Sequence, residues 1–423
     1  MMWWEAATGG GAKLAFWFRS RVAIFAFAFL LRVGLCVHML ESIPLRGFWS
    51  VSEPGAVAVN VLDGKGFASP YDARQPTAWI APFYPVMVVA STFRVLGAYS
   101  AASTYFLIIL NALFAALTSL IVYAMGERSF GSSTGATAGW LWATSFSNAV
   151  LTLLVWDTCL SALLLSFGCL LFLAWEGSFD YRRWGITGAF WGGVLLVNPA
   201  LIGPLPFLWM LLWYRERTRG RSVWKQMAFA VVVMMAVVSP WLLRNYRVFG
   251  KPVFVRSNYA AELYYGNLGF QSHPFLATKE YQRMGEMAYV ASKKRAVTEY
   301  IRNNFGSFLQ QSARRVVAFW TVPRITGAYW PIISLLAWCG LALALREGNR
   351  DGLPYLIVMA IYPAAYYFSY VFEKYRYPIE PLMFVMAGYA LVQTTRFVRR
   401  KIFNRRGRKE GPRSSLREPF VAQ

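Results

Sequence analysis

SEPGAVAVNVLDGKGFASPYDARQPTAWIAPFYP, residues 52–85, follows the first long apolar run of the sequence and precedes the second. It is polar and turn-rich, and it carries three of the few carboxylates outside the basic tails: Glu53, Asp63 and Asp72. Apolar runs of about 20 residues, the length that crosses a hydrocarbon core at about 1.5 Å per residue, recur through the rest of the chain. Such a chain has little reason to keep this loop unless the loop does chemistry or binds something. The pattern predicts an all-α polytopic membrane protein that presents the loop on one face.

Composition supports that class. The chain has 423 residues, 57% hydrophobic and 15% charged, against about 25% charged in soluble proteins. Length alone predicts about three soluble domains, but the even spread of apolar runs argues for one membrane unit. We assign it residues 1–400, with a first outer loop at 41–85, a long outer loop at 244–315 and a basic tail at 401–423. The net charge of +23 invites a nucleic-acid reading, yet much of it sits in short loops and in the tail 396–409. There it is a topology signal and a contact for anionic membrane lipids. No nucleic-acid motif accompanies it, so no nucleic-acid partner is expected. Cys36, Cys159, Cys169 and Cys339 lie in apolar runs without metal-ligand spacing and read as small buried hydrophobes. His38 and His273 are too far apart in sequence to suggest a zinc site. The N-terminal region lacks a small-residue cleavage site and reads as an anchor.

Taken in order, the first span is expected at 22–40. Arg32 lies inside it, and its place near a helix end predicts snorkelling. Residues 54–62 read as a surface helix that Gly64 and Gly66 end. Pro82 and Pro85 start a helix at 86–96 that is short and interrupted by Arg94. Topology parity decides its role. If it does not cross, Arg128, Arg182, Arg183, Arg215, Arg217, Arg219, Arg221 and Lys225 all fall on the side of the N-terminus, as the positive-inside rule requires. The helix is therefore juxtamembrane or re-entrant. Spans follow at 102–125, 136–155, 158–175, 186–197, 201–213 and 227–241. The long outer loop contains a polar helix at 278–303 and an amphipathic stretch at 305–320. Spans at 330–345, 353–370 and 382–397 close the chain. The total is about ten, with both termini cytoplasmic. The compact basic loops suit a bacterial inner membrane.

This topology collects Glu53, Asp157, Arg244, Glu373, Lys374, Arg376 and Glu380 on the outer face. Carboxylates and arginines around one cavity suit group transfer from a phosphorylated donor. A carboxylate takes the proton of an attacking hydroxyl or binds a divalent cation, Mg or Mn. Arginines hold a leaving phosphate. Taken singly, each has a plainer explanation: loop carboxylates are usually solvated, and Asp157 stands where it can cap the next helix.

The sequence resembles the GT-C membrane glycosyltransferases, in particular the protein O-mannosyltransferase and bacterial aminoarabinose transferase branch. Glu53 directly follows the first span, and a surface helix and LDGKGF come next. APFYPVMVVASTFRVLG, SPWLLRNYRVFGKPVF, ELYYGN and KYRYPIEPLMFVMAGYAL then follow in the order that branch shows. The resemblance implies a catalytic first outer loop, a sugar donor on polyprenyl phosphate and inverting transfer to a glycan, lipid or protein acceptor. It places Glu53 at the catalytic acidic position and Asp157 near a second one. Arg244, Arg376, Tyr377 and Lys65 are its candidates for the donor phosphate. Many members have two adjacent acidic residues where this chain has Ser52-Glu53, which favours a lone base over a metal site; Asp63 is the alternative base. Tyr264 and Tyr265 could stack on sugar faces or anchor the loop.

Two other classes compete. A transporter or flippase of lipid-linked glycans should show repeat symmetry and broken helices at mid-membrane. This chain instead sets its polar groups at the outer ends of spans. A non-catalytic membrane subunit would be indifferent to replacement of Glu53.

Overall fold

A computed structural model describes residues 17–49, 52–269, 278–321 and 329–409. His273 and the tail beyond residue 409 lie outside these. The described chain is helical, with a single isolated bridge between Ala68 and Pro76 as its only extended pairing. The main helices are α1 (Arg21–Leu40), α2 (Glu53–Leu62), α3 (Tyr84–Leu96), α4 (Ala101–Phe130), α5 (Ser132–Ala143), α6 (Thr158–Trp175) and α7 (Tyr181–Val197). They continue with α8 (Leu205–Thr218), α9 (Trp224–Phe249), α10 (Glu286–Asn303), α11 (Phe305–Thr321), α12 (Tyr329–Arg346), α13 (Gly352–Phe368) and α14 (Glu380–Lys409). Among the described residues α1, α4, α6, α9 and α12 are long and apolar enough to cross a membrane, and α3 and α13 are shorter apolar helices. This is a multi-pass membrane protein.

The bundle is knit around α4, which packs on α1, α5, α6 and α14. A second pair, α7 with α9, and a third, α12 with α14, complete it. Trp142, Tyr377 and Phe384 meet at its centre. Gly340 lets α12 touch α14, because a Cβ there would stand 2.0 Å from the carbonyl oxygen of Met386. Turn chemistry follows the sequence in the first loop: Ser52 Oγ caps α2 through the amide of Gly55 at 3.1 Å, and Gly64 and Gly66 take φ of 76° and 71° beyond its end.

Three expectations differ. The span expected at 136–155 is broken: α5 ends at Ala143, and Ser145 caps a new short helix through the amide of Asn148. Arg32 does not snorkel. It is fully buried and donates to the carbonyls of Trp142 at 2.9 Å and Ala143 at 3.2 Å. A guanidinium there satisfies acceptors that the helix end leaves open. The polar helix of the long loop is likewise split, at Gly285, whose φ of 77° no other residue type adopts easily.

Candidate functional site

Of the three carboxylates in residues 52–85, two are engaged locally. Asp63 pairs with Lys65 at 2.9 Å, and Asp72 holds Arg74 and Gln75. Glu53, the first residue of α2, is different. Its Oε1 accepts from the hydroxyl of Tyr71 and from Trp79 Nε1 at 3.3 Å. Those two rings meet edge to face at 5.6 Å and fix the carboxylate's orientation.

Asp157 stands at the N-cap of α6 but does not cap it. It accepts from Ser161 Oγ at 2.9 Å, and Ser161 in turn accepts from Asn198 Nδ2 at 3.3 Å. Burial pushes its carboxyl above the usual carboxylate range, against the opposing pull of Arg256, the Ser161 hydrogen bond and Lys374. Glu262, on the short helix Tyr259–Tyr264, accepts from Asn258 Nδ2 at 2.9 Å and from the hydroxyl of Tyr370. Burial raises it too, opposed by Tyr370, Arg256 and Lys374.

These carboxylates converge on two cations. Lys374 feels the charges of Glu53, Glu262 and Asp157 together, yet burial outweighs them and lowers its pKa. Among the described residues neither Lys374 nor Arg256 stands within ion-pairing distance of a carboxylate. Lys374 Nζ instead sits over the Trp156 ring, and Arg256 Nε donates to the carbonyl of Trp79 at 3.4 Å. A tyrosine wall closes the space: Tyr375 stacks on Tyr366 with ring centroids 4.6 Å apart and donates to Tyr370 at 3.2 Å.

Four expected phosphate ligands are occupied elsewhere. Arg244 donates to the carbonyls of Thr77 at 2.6 Å and Phe67 at 2.8 Å, and its guanidinium lies among Phe67, Trp241 and Phe249. It fastens the first loop to α9. Arg376 is fully buried, 3.1 Å from Glu380 and 4.0 Å from the Trp330 ring centroid. Tyr377 is fully buried between Cys159 and Trp142. Lys65 is exposed and paired with Asp63 on the turn. Of the two tyrosines weighed as sugar platforms, Tyr265 is buried and bonded to Tyr289, and Tyr264 lies beneath Lys293. Sequence reasoning missed Arg256 and Glu262; the latter stands in the ELYYGN stretch, and its charge was the available signal.

The site is braced by Glu286. Its carboxylate accepts from Thr77 Oγ1, the amide of Ala78 at 2.8 Å, Ser257 Oγ at 2.7 Å and the hydroxyl of Tyr281 at 2.6 Å. Residues 77–79 are thereby tied to both parts of the long loop. Among the described residues no three His, Cys, Asp or Glu side chains gather as metal ligands. With Lys374 and Arg256 supplying the positive charge, the donor set does not fit a resident divalent cation.

Residues 83–243 match the family described as dolichyl-phosphate-mannose-protein mannosyltransferase. Curated protein sequences gave no match. Among solved structures, the chain is similar to the Archaeoglobus fulgidus oligosaccharyltransferase in complex with zinc and sulfate, with a TM-score of 0.53 and 13% identity over 89% of this chain and 49% of that one. The AglB oligosaccharyltransferase of the same organism, with an inhibitory peptide and dolichol-phosphate, gives 0.51 and 14% over 94% and 52%. ArnT from Cupriavidus metallidurans, bound to undecaprenyl phosphate, gives 0.51 and 16% over 97% and 66%. The chain thus spans about half the length of the first of these. Its fold is that of the GT-C membrane glycosyltransferases, as the sequence resemblance implied.

Proposed function

We propose that the protein is a membrane glycosyltransferase that moves a sugar from a polyprenyl-phosphate donor to an acceptor, with inversion. The observation that carries this reading is the placement of Glu53, Asp157 and Glu262 within electrostatic reach of Lys374, and of Asp157 and Glu262 within reach of Arg256, two half-buried cations that make no ion pair with a carboxylate among the described residues. Half-buried cations without a carboxylate partner suit a phosphate. Glu53 takes the proton of the acceptor hydroxyl as its oxygen bonds the anomeric carbon. The bond from that carbon to the phosphate oxygen breaks, and the electron pair leaves with the polyprenyl phosphate, whose charge Lys374 and Arg256 hold. Asp157 and Glu262 set the field in which those cations stay placed. The fold shared with structures that bind undecaprenyl phosphate and dolichol-phosphate supports the donor class. The short basic loops support a cytoplasmic side opposite the site, and with it cytoplasmic termini and a bacterial inner membrane.

The test is release of free polyprenyl phosphate by purified protein in nanodiscs, with a panel of polyprenyl-phosphate sugars and acceptor extracts. Wild type should release it, and Glu53→Gln should fall by about 10²- to 10⁴-fold. Equal release by both would remove Glu53 as the base. Movement of intact donor across the bilayer without cleavage would establish a transporter instead.

A further inference from the structure

Tyr71 rides on a tight turn of the first loop. The amide of Ser69 donates to the carbonyl of Gln75 at 2.8 Å, and the amide of Tyr71 donates to Ser69 Oγ at 3.1 Å. Asn60 Nδ2, on α2, donates to the carbonyl of Ser69 at 3.0 Å. Glu53 opens that same helix, so the turn and the carboxylate share one frame. Both donors to Glu53, the Tyr71 hydroxyl and Trp79 Nε1, fall on Oε1. Two bonds fill the lone pairs of that oxygen. Among the described residues no donor reaches the other one, Oε2, which stays accessible.

The long outer loop grips Tyr71 in turn. Gln282 Nε2, on the short helix Thr278–Met284, donates to the Tyr71 carbonyl at 2.6 Å, and Gln75 Nε2 donates back to the carbonyl of Gln282 at 2.9 Å. The Tyr281 ring meets those of Tyr71 and Trp79 edge to face at 5.3 and 5.7 Å. We propose that Tyr71 is a positioning residue: it loads Oε1 of Glu53, so that Oε2 takes the proton of the acceptor hydroxyl, and it carries the grip of the long loop to the base. This rests on the role proposed for Glu53. The acceptor oxygen keeps the electron pair of its O–H bond and forms the glycosidic bond with it, while the polyprenyl phosphate leaves with the pair of the old bond. Through space, the charge of Glu53 reaches Lys374, Glu262 and Tyr71, and Tyr71 is also within reach of Glu262 and Tyr265. α3, packed against α2, carries Tyr84, which faces Cys159 and Asp157, and the exposed Arg94. Tyr281 is bonded to Glu286, and Tyr289 to Tyr265.

Release of polyprenyl phosphate by the whole protein in nanodiscs, from the panel of polyprenyl-phosphate sugars with acceptor extracts, tests this when followed across pH. Tyr71→Phe keeps the ring and removes only the hydroxyl. A hydrogen bond donated to a carboxylate favours its charged form, so in this variant the acid limb of kcat should move to higher pH by about 1–2 pH units. Above the limb kcat should fall about 10- to 10²-fold with KM for the donor unchanged. Gln282→Ala, a change at an exposed side chain, should move the limb in the same direction. In the double variant Glu53→Gln/Tyr71→Phe the second change should cost nothing further. An acid limb that stays in place in Tyr71→Phe, or a full further loss in the double variant, would overturn the proposal and leave Tyr71 to the scaffold. A limb unmoved by Gln282→Ala would overturn the part given to the long loop. Glu53→Gln at the rate of the wild type, or no release by the wild type, would overturn the role of Glu53 itself and this inference with it.

Discussion

The ammonium of Lys374 lies 4.1 Å from the ring centroid of Trp156, the residue immediately before Asp157. A ring face, not a carboxylate, therefore holds this half-buried cation. Such a contact contributes about 0.5–2 kcal/mol and leaves the amine's charge available to an anion.

That geometry sets an alkaline limit. Burial lowers the pKa of Lys374 below its ordinary 10.5. If the charged amine holds the donor phosphate, KM for the donor should rise as pH climbs through that lowered value. Lys374→Arg should move the limb to higher pH, and Lys374→Met should raise KM at every pH. Stability runs the other way. The unfolded lysine keeps its proton to higher pH than the folded one, so this residue's contribution increases with pH between the two values. Donor titrations and Tm measured across alkaline pH separate the two effects.

Asp157→Asn should divide activity from stability in a similar manner. Its carboxyl is raised by burial, so the folded state holds the proton more tightly than the unfolded chain does. Its contribution to stability is therefore greatest at low pH and falls as pH rises through the raised value. At neutral pH the neutral amide should leave Tm equal or higher while turnover drops. A fall in Tm that matches the fall in turnover would assign Asp157 to the scaffold.

Arg376→Ala should act on stability and not on the donor. The substitution leaves the Glu380 carboxylate buried beside an empty space, and breaking a buried pair from one side costs about 3–5 kcal/mol. We expect a large loss of Tm, with KM for the donor unchanged in the protein that remains folded. A raised KM at unchanged Tm would return Arg376 to the site.

Glu286→Ala should loosen the first loop. Four donors lose their acceptor, among them the amide of Ala78, and each buried donor left unsatisfied costs about 1–3 kcal/mol. Faster amide exchange at residues 77–79, together with lower activity, is the expected result; unchanged exchange there would remove Glu286 as the brace.

How much of this the sequence carried depended on whether a feature is local. Helices such as α6 and the caps at Ser52, Gly64 and Gly66 were legible because hydropathy and backbone conformation are written residue by residue. The break after Ala143 was written too, in the polar run Thr144, Ser145, Ser147 and Asn148, but its filling by Arg32 required a partner more than a hundred positions away. For the same reason sequence alone does not separate the arginines. Arg244, Arg256 and Arg376 look alike in sequence, and only packing shows that the first grips carbonyls, the last a glutamate, and the middle one stays available.

Glu53 comes early in the chain and Lys374 near its end, with Asp157, Arg256 and Glu262 between them. The constellation therefore cannot exist on a growing polypeptide. While most of the chain is inserting, the carboxylates stand without one of the two cations, and the loop closed by their meeting is more than three hundred residues long. A chain cut short before residue 374 should still enter the membrane, because α1, α4, α6, α9 and α12 are complete by then, but it should emerge inert. Translation order itself thus keeps the acidic and basic halves of the proposed site apart until most of the chain is made.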